Sequence, residues 1–254
     1  MDYLGLFFAT TVGLAVGSFV NVVGDRLPVG QSIAYPPSHC PDCDAPIRRR
    51  DLIPVVSYVL LRGRCRDCSA KIPIRVFLIE IVAGLLFAGV WLKFGWSYQG
   101  VAMMGYVGMF LAIFVVDLEH HIIPNRIVFP GLVVALVIAS FWPEVGLAKA
   151  AIGASAGFGL MLLLYLIPGI VIGEGDVKLA AVVGAAVGFP VVFVSLGLSF
   201  VLGGVAAAGI LLVKRGGRKT EVPFGPFIAV AALVSLIWGA PIMAWYVNSF
   251  VGIF

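Results

Sequence analysis

Two groups of residues in this 254-residue chain have the types and spacing to do chemistry. The first is Cys40-Pro41-Asp42-Cys43 with Cys65-Arg66-Asp67-Cys68, which together hold all four cysteines. Each CxxC turn offers two thiolates, and two such turns close a tetrahedron around Zn2+. The interval between the pairs is close to that of four-cysteine zinc sites. A thioredoxin-like redox role needs one such motif in a βαβ setting, and that setting is absent from the pattern. Iron–sulfur, another metal and free thiols stay open as alternatives. A closed four-thiolate site is structural, so the metal is expected to fold a small loop domain. His39, beside Cys40, reads as a bystander.

The second group is acidic. Asp117 ends an apolar run in Val116-Asp117-Leu118-Glu119-His120-His121-Ile122-Ile123-Pro124-Asn125, and Asp176 opens another in Gly173-Glu174-Gly175-Asp176-Val177-Lys178. Ionisable residues at membrane depth are functional candidates by default. Two carboxylates that meet can hold one proton between them, the arrangement of an aspartic protease. The ionised member then activates a water and the protonated one polarises the scissile carbonyl. The bland alternative is a pair of hydrated interface residues, and the residues alone leave both readings open. The glycines before Asp176 would let backbone approach a substrate. Pro124 would stop the helix after Asp117 and expose the site. His120 and His121 lack a spaced partner for a metal. Glu80 is expected to pair with Arg75 or Lys71.

The elements that must position these groups are membrane helices. Hydrophobic residues make up 61% of the chain and charged ones only 12%. A span needs about 20 apolar residues, so this content is enough for seven or eight. Disorder and a disulfide-stapled secreted domain are excluded. Apolar runs fall at 4–23, 76–92, 101–116, 127–142, 150–172, 177–189, 191–213 and 227–247. The sixth is short and glycine-rich, so it either spans or re-enters. No basic segment precedes the first run, which is read as a retained span and not a cleaved signal. Glycines 153, 157, 159, 203 and 204 suggest close helix packing.

Charge placement orients the chain. Segment 24–75 carries nine Lys and Arg, and its side gains Arg126, Lys178, Lys214, Arg215, Arg218 and Lys219, against Lys93 and Lys149 opposite. Fifteen against two places 24–75 in the cytoplasm and both termini outside, with both aspartates at the cytoplasmic edge. The same asymmetry accounts for the net charge of +4 without nucleic acid. The expected architecture is an all-α polytopic membrane protein of about eight transmembrane helices. Residues 1–23 form the first helix, 24–75 a small cytoplasmic four-cysteine zinc-binding domain, and 76–254 the catalytic bundle.

These motifs together resemble the type IV prepilin peptidases, or prepilin leader peptidase/N-methyltransferases. The likeness runs through Gly17-Ser18-Phe19-Val20-Asn21-Val22, Arg26-Leu27-Pro28 and the first cysteine pair. It continues in Ile53-Pro54-Val55-Val56-Ser57-Tyr58, Leu61-Arg62-Gly63-Arg64-Cys65 and Cys68, then in the two aspartate motifs. After Lys178 it is carried mainly by hydropathy and Pro223-Phe224-Gly225-Pro226.

The resemblance implies a GxGD membrane aspartic protease with Asp117 and Asp176 as its catalytic pair. Its substrates would be type IV prepilins and the pseudopilins of type II secretion, cut at the cytoplasmic face of a bacterial inner membrane. The cysteine domain, with Cys40, Cys43, Cys65 and Cys68 on structural zinc, is associated with methylating the new N-terminus from S-adenosylmethionine. No cofactor fingerprint places the methyl donor. The rival classes are a transporter that couples ions through the aspartates and a non-enzymatic assembly factor that docks partners on the zinc loop. Neither accounts for the two aspartate motifs as a pair.

Overall fold

The computed structural model describes residues 2–169, 172–213 and 222–251. Lys214, Arg215, Arg218 and Lys219, four of the orienting cations, lie outside the described residues. The described residues are helical, with two isolated β-bridges and no strand. The chain divides into two compact units, Met1–Val115 and Val116–Phe254.

In the first unit, α1 (Tyr3–Arg26) packs along α3 (Ile74–Phe94). Asp2 caps α1, accepting from the Gly5 N–H at 3.1 Å. Asn21 is buried and crosslinks the pair, donating to the carbonyls of Gly17 (3.1 Å) and Val76 (3.2 Å). Between them the chain makes the cysteine loops, one turn of 3-10 helix (Arg49–Leu52) and the short α2 (Val56–Leu60). Helix α4 (Tyr98–His120) follows, and the unit boundary falls within it. Two ion pairs brace the loops, Arg66–Asp51 at 2.6 Å and Arg48–Asp67 at 3.0 Å. The bidentate Arg66 guanidinium holds the Asp51 carboxyl below the usual carboxylate range.

Glu80 departs from expectation. Its Oε2 accepts from the Val55 N–H at 2.7 Å, while Arg75 pairs with Asp25 at 2.6 Å. Glu80 is buried, and Val55 has φ of 64°, where a β-branched residue is uncommon. The carboxylate therefore anchors a backbone segment instead of neutralising a cation.

The second unit holds α5 (Asn125–Ser140), α6 (Gly146–Leu166), α7 (Glu174–Val187), α8 (Val191–Val213) and α9 (Gly225–Tyr246). Helix α7 is its core, packed against each of the other four. It has 14 residues, about 21 Å at 1.5 Å per residue, which is short of a ~30 Å hydrocarbon layer. Nearly every residue after Asp176 in α7 is buried. Small side chains allow this: a Cβ on Gly184 would meet the Gly153 carbonyl of α6, and one on Gly157 would lie 2.5 Å from the Ala180 oxygen. Gly159 and Gly204 face open space, so they are not part of such a seam.

Each of the eight apolar runs overlaps one helix among the described residues, and the run 150–172 is helical only to Leu166. Six are long and apolar enough to cross a membrane, whereas α5 has 16 residues and α7 has 14.

Candidate active site

Asp117 lies in the last turn of α4, with His121 N donating to the Asp117 carbonyl at 2.9 Å as the helix closes. His121 takes φ of 55° and Pro124 caps α5, so the chain turns over residues 121–124. Pro124 does separate the two helices, but Asp117 is not opened to solvent by it. Its relative exposure is 5%.

Asp176 is the third residue of α7 and is 7% exposed. Its Oδ2 accepts from the Gly173 N–H at 3.0 Å, and its own N–H donates to the Gly173 carbonyl at 3.1 Å. This reciprocal cap satisfies a helix-end donor and fixes the side chain on the positive end of α7. Lys178 bonds Glu174 one turn back and reaches Asn125 at 3.4 Å. Lys178 thus braces the start of α7 against α5.

The two carboxylates share one neighbourhood: Ile123 packs against Gly175 beside Asp176, and its Cδ1 and the Asp117 carboxyl group both lie against Gly225. Around them the backbone is tightly drawn. A Cβ on Gly175 would sit 2.8 Å from the Ile123 Cβ, so this glycine lets the 121–124 turn seat on α7. Its role here is helix–turn packing. A Cβ on Gly225 would lie 2.6 Å from Asp117 Oδ2 and 3.0 Å from Ile123 Cδ1. Ile123 and Gly225 were not among the site residues read from the sequence. The signal for Gly225 was Pro223-Phe224-Gly225-Pro226, a motif to which no role attached.

Asp117 Oδ2 is buried with no hydrogen-bond partner among the described residues. A buried carboxylate oxygen left unpaired is costly, and such groups concentrate where a water or substrate is to be bound. The site thus presents two buried carboxyl groups, one anchored and one with an open oxygen.

The cysteine centre belongs to the first unit. Cys40, Cys43, Cys65 and Cys68 place their Sγ atoms within 4.8 Å of one another. The two knuckles repeat one geometry. Cys40 N donates to Ala45 O (3.0 Å) and Asp44 N to Cys40 O (2.9 Å), as Cys65 N does to Ala70 O (2.8 Å) and Ser69 N to Cys65 O (3.0 Å). Asp44 and Ser69 share a left-handed φ, 55° and 62°. The N–H groups of Cys68 and Asp67 aim at the Cys65 sulfur and lower its pKa to about 7, whereas desolvation and the neighbouring thiols push Cys68 up to about 12. Sulfurs on a tetrahedron with bonds of about 2.3 Å stand about 3.8 Å apart, and Cys40 Sγ to Cys68 Sγ is 3.8 Å. The donor set fits a metal. His39 turns instead to the Pro37 carbonyl at 3.2 Å.

Residues 11–94 match the bacterial peptidase A24 N-terminal domain, and residues 103–208 match the type IV leader peptidase family. The chain is 35% identical to the prepilin leader peptidase/N-methyltransferase of Stutzerimonas stutzeri, over 94% of this chain and 93% of that protein. The chain belongs to the type IV leader peptidase family. Two other relatives bear that same name. One from Pseudomonas putida is 33% identical (93% of this chain, 91% of the relative), and one from Bacillus subtilis is 30% identical (94% and 97%). No solved structure matches. Asp117 and Asp176 lie inside the 103–208 match and all four cysteines inside the 11–94 match. With six apolar helices of spanning length among the described residues, the chain is a multi-pass membrane protein.

Proposed function

We propose that this enzyme cleaves the leader peptides of type IV prepilins and pseudopilins, with Asp117 and Asp176 as a catalytic pair at the cytoplasmic face of the bacterial membrane. The observation that carries the assignment is that two buried carboxyl groups of one unit flank the Ile123 turn, one of them with an oxygen that has no partner among the described residues. Two carboxyl groups that act on one water share one proton, because like charges brought together do not both ionise readily. The ionised carboxylate takes a proton from a water, and the water oxygen attacks the scissile carbonyl carbon. The protonated carboxyl group gives its proton to the carbonyl oxygen. When the resulting diol collapses, the C–N bond breaks and the amine leaves with a proton returned from the pair. Both residues gain from restraint: Asp176 is held by Gly173, and Asp117 by the surface of Gly225.

The location follows from charge and substrate. A prepilin leader is basic and stays in the cytosol, whereas the helix behind it is apolar. Their junction lies at the inner membrane face, where charge placement puts Asp117 and Asp176.

Methylation of the new N-terminus by S-adenosylmethionine belongs to the same proposal and is supported by the relatives' name. In segment 24–75, the four cysteines would hold a structural zinc with no open coordination position, so the metal folds the knuckles and takes no part in proteolysis. Co-expression with a prepilin tests the function: a shift of the pilin to its mature size on a gel supports it, and an unprocessed pilin contradicts it. Mass spectrometry of the mature N-terminus reads methylation in the same sample.

A further inference from the structure

Helix α2 does not stand away from the membrane helices. The Val55 N–H just before it bonds Glu80 at 2.7 Å, and the Tyr58 ring stacks on Phe77 with centroids 4.9 Å apart. The Tyr58 hydroxyl also reaches the Ile72 carbonyl at 3.4 Å. Phe77 and Glu80 are three and six residues into α3, so α2 lies about 4–9 Å along that helix from its start. Helix α3 has 21 residues, about 31 Å, which matches a ~30 Å hydrocarbon layer from end to end. Its first turn therefore begins at the hydrocarbon edge, and α2 is level with the layer just inside it.

The outward side of this segment is apolar. Leu52, Ile53, Val56, Val59 and Leu60 are exposed, Leu60 to 76%. A run of this kind facing water would be a large unpaired apolar patch. Exposed cations bracket it on both sides, Arg49 and Arg50 before and Arg62 and Arg64 after. None of the four forms an ion pair among the described residues, unlike Arg48, Arg66 and Arg75. An apolar face at the headgroup–acyl boundary, flanked by unpaired arginines, is the pattern of an interfacial anchor on anionic lipid.

We propose that α2 and the turn before it form a membrane-embedded wedge of the cysteine domain. Leu52, Ile53, Val56, Val59 and Leu60 enter the acyl boundary of the leaflet that faces the domain, and Arg49, Arg50, Arg62 and Arg64 bind its anionic headgroups. Glu80 is the positioning residue: by gripping Val55 from inside the helix pair it fixes the depth of the wedge. The cysteine knuckles are then held at a set height above the membrane.

The test uses the full-length protein in vesicles of phosphatidylglycerol and phosphatidylcholine, with a spin-labelled non-canonical residue at Leu60 or Val59. Both positions are exposed, and retained metal content certifies the fold of each labelled variant. Collision accessibility to oxygen and to a water-soluble nickel chelate is measured. The wedge requires an oxygen-to-nickel ratio above that of the free label in water at both positions. It also requires that ratio to fall when Arg49, Arg50, Arg62 and Arg64 are replaced together by glutamine. A nickel-accessible label, or one shielded from both reagents, overturns the proposal. So does oxygen accessibility that disappears when a prepilin is added, since the patch would then be a substrate groove. An unchanged ratio in the glutamine variant overturns the headgroup assignment. No proteolysis is read, so these outcomes are separate from any failure of the peptidase assignment.

Discussion

The backbone of Gly225 lies so close to the Asp117 carboxyl group that a Cβ there would stand 2.6 Å from Oδ2. Residues 108 positions apart thus share one contact, and the start of α9 forms a wall of the aspartate site.

Gly225→Ala is expected to displace the Asp117 side chain while leaving the bundle folded. A displaced carboxyl group that raises the barrier by about 1.4 kcal/mol slows prepilin processing about ten-fold, and a loss of at least that size is expected. Gly204→Ala adds a methyl group to open space and should process normally. Equal rates for the two variants in a timed cleavage assay would remove Gly225 from the site.

The seam between α6 and α7 makes a separate prediction about stability. Gly184→Val forces a branched side chain against the Gly153 backbone, which cannot move aside as a flexible side chain can. A loss of about 3 kcal/mol or more is expected at a site with no room to relax. Gly159→Ala, on the open face of α6, should change little. Thermal unfolding in detergent compares the two, and similar midpoints would count against the seam.

The cysteine centre predicts about one zinc per chain by elemental analysis. Cys40→Ser or Cys65→Ser should lose the metal and make residues 24–75 sensitive to protease while helix content stays high. Metal binding there is folding free energy for the two knuckles that the cysteines close. Purified protein without zinc would refute the metal assignment.

What the sequence shows and hides follows from the range of the interactions. The cysteine centre was legible because two CxxC pairs carry their own geometry, down to the matching turns at Asp44 and Ser69. The apolar runs were legible because a helix in lipid must be apolar along its length. The shortness of α7 showed as a glycine-rich run before Pro190, but its place at the core of the second unit did not, since burial on all sides leaves no periodicity. Glu80 was misread because its partner is the Val55 amide, and a backbone donor has no letter in the sequence. Ile123 and Gly225 escaped for a related reason. Each acts by its surface, Ile123 on Gly175 and Gly225 on Asp117, and only the folded chain makes them neighbours.

The central claim is that Asp117 and Asp176 act as one unit on a water molecule, and the cleavage rates of Asp117→Asn, Asp176→Asn and the double variant test it most directly. Asparagine keeps the shape and removes the titratable proton, so unfolding midpoints should stay close to the parent's. Coupled catalytic groups are strongly non-additive. Each single variant should therefore abolish prepilin cleavage nearly as fully as the double variant. Parent activity should fail at both pH extremes, because one proton is shared between the pair. A folded Asp117→Asn or Asp176→Asn enzyme that processes prepilin at near-parent rate would contradict the account.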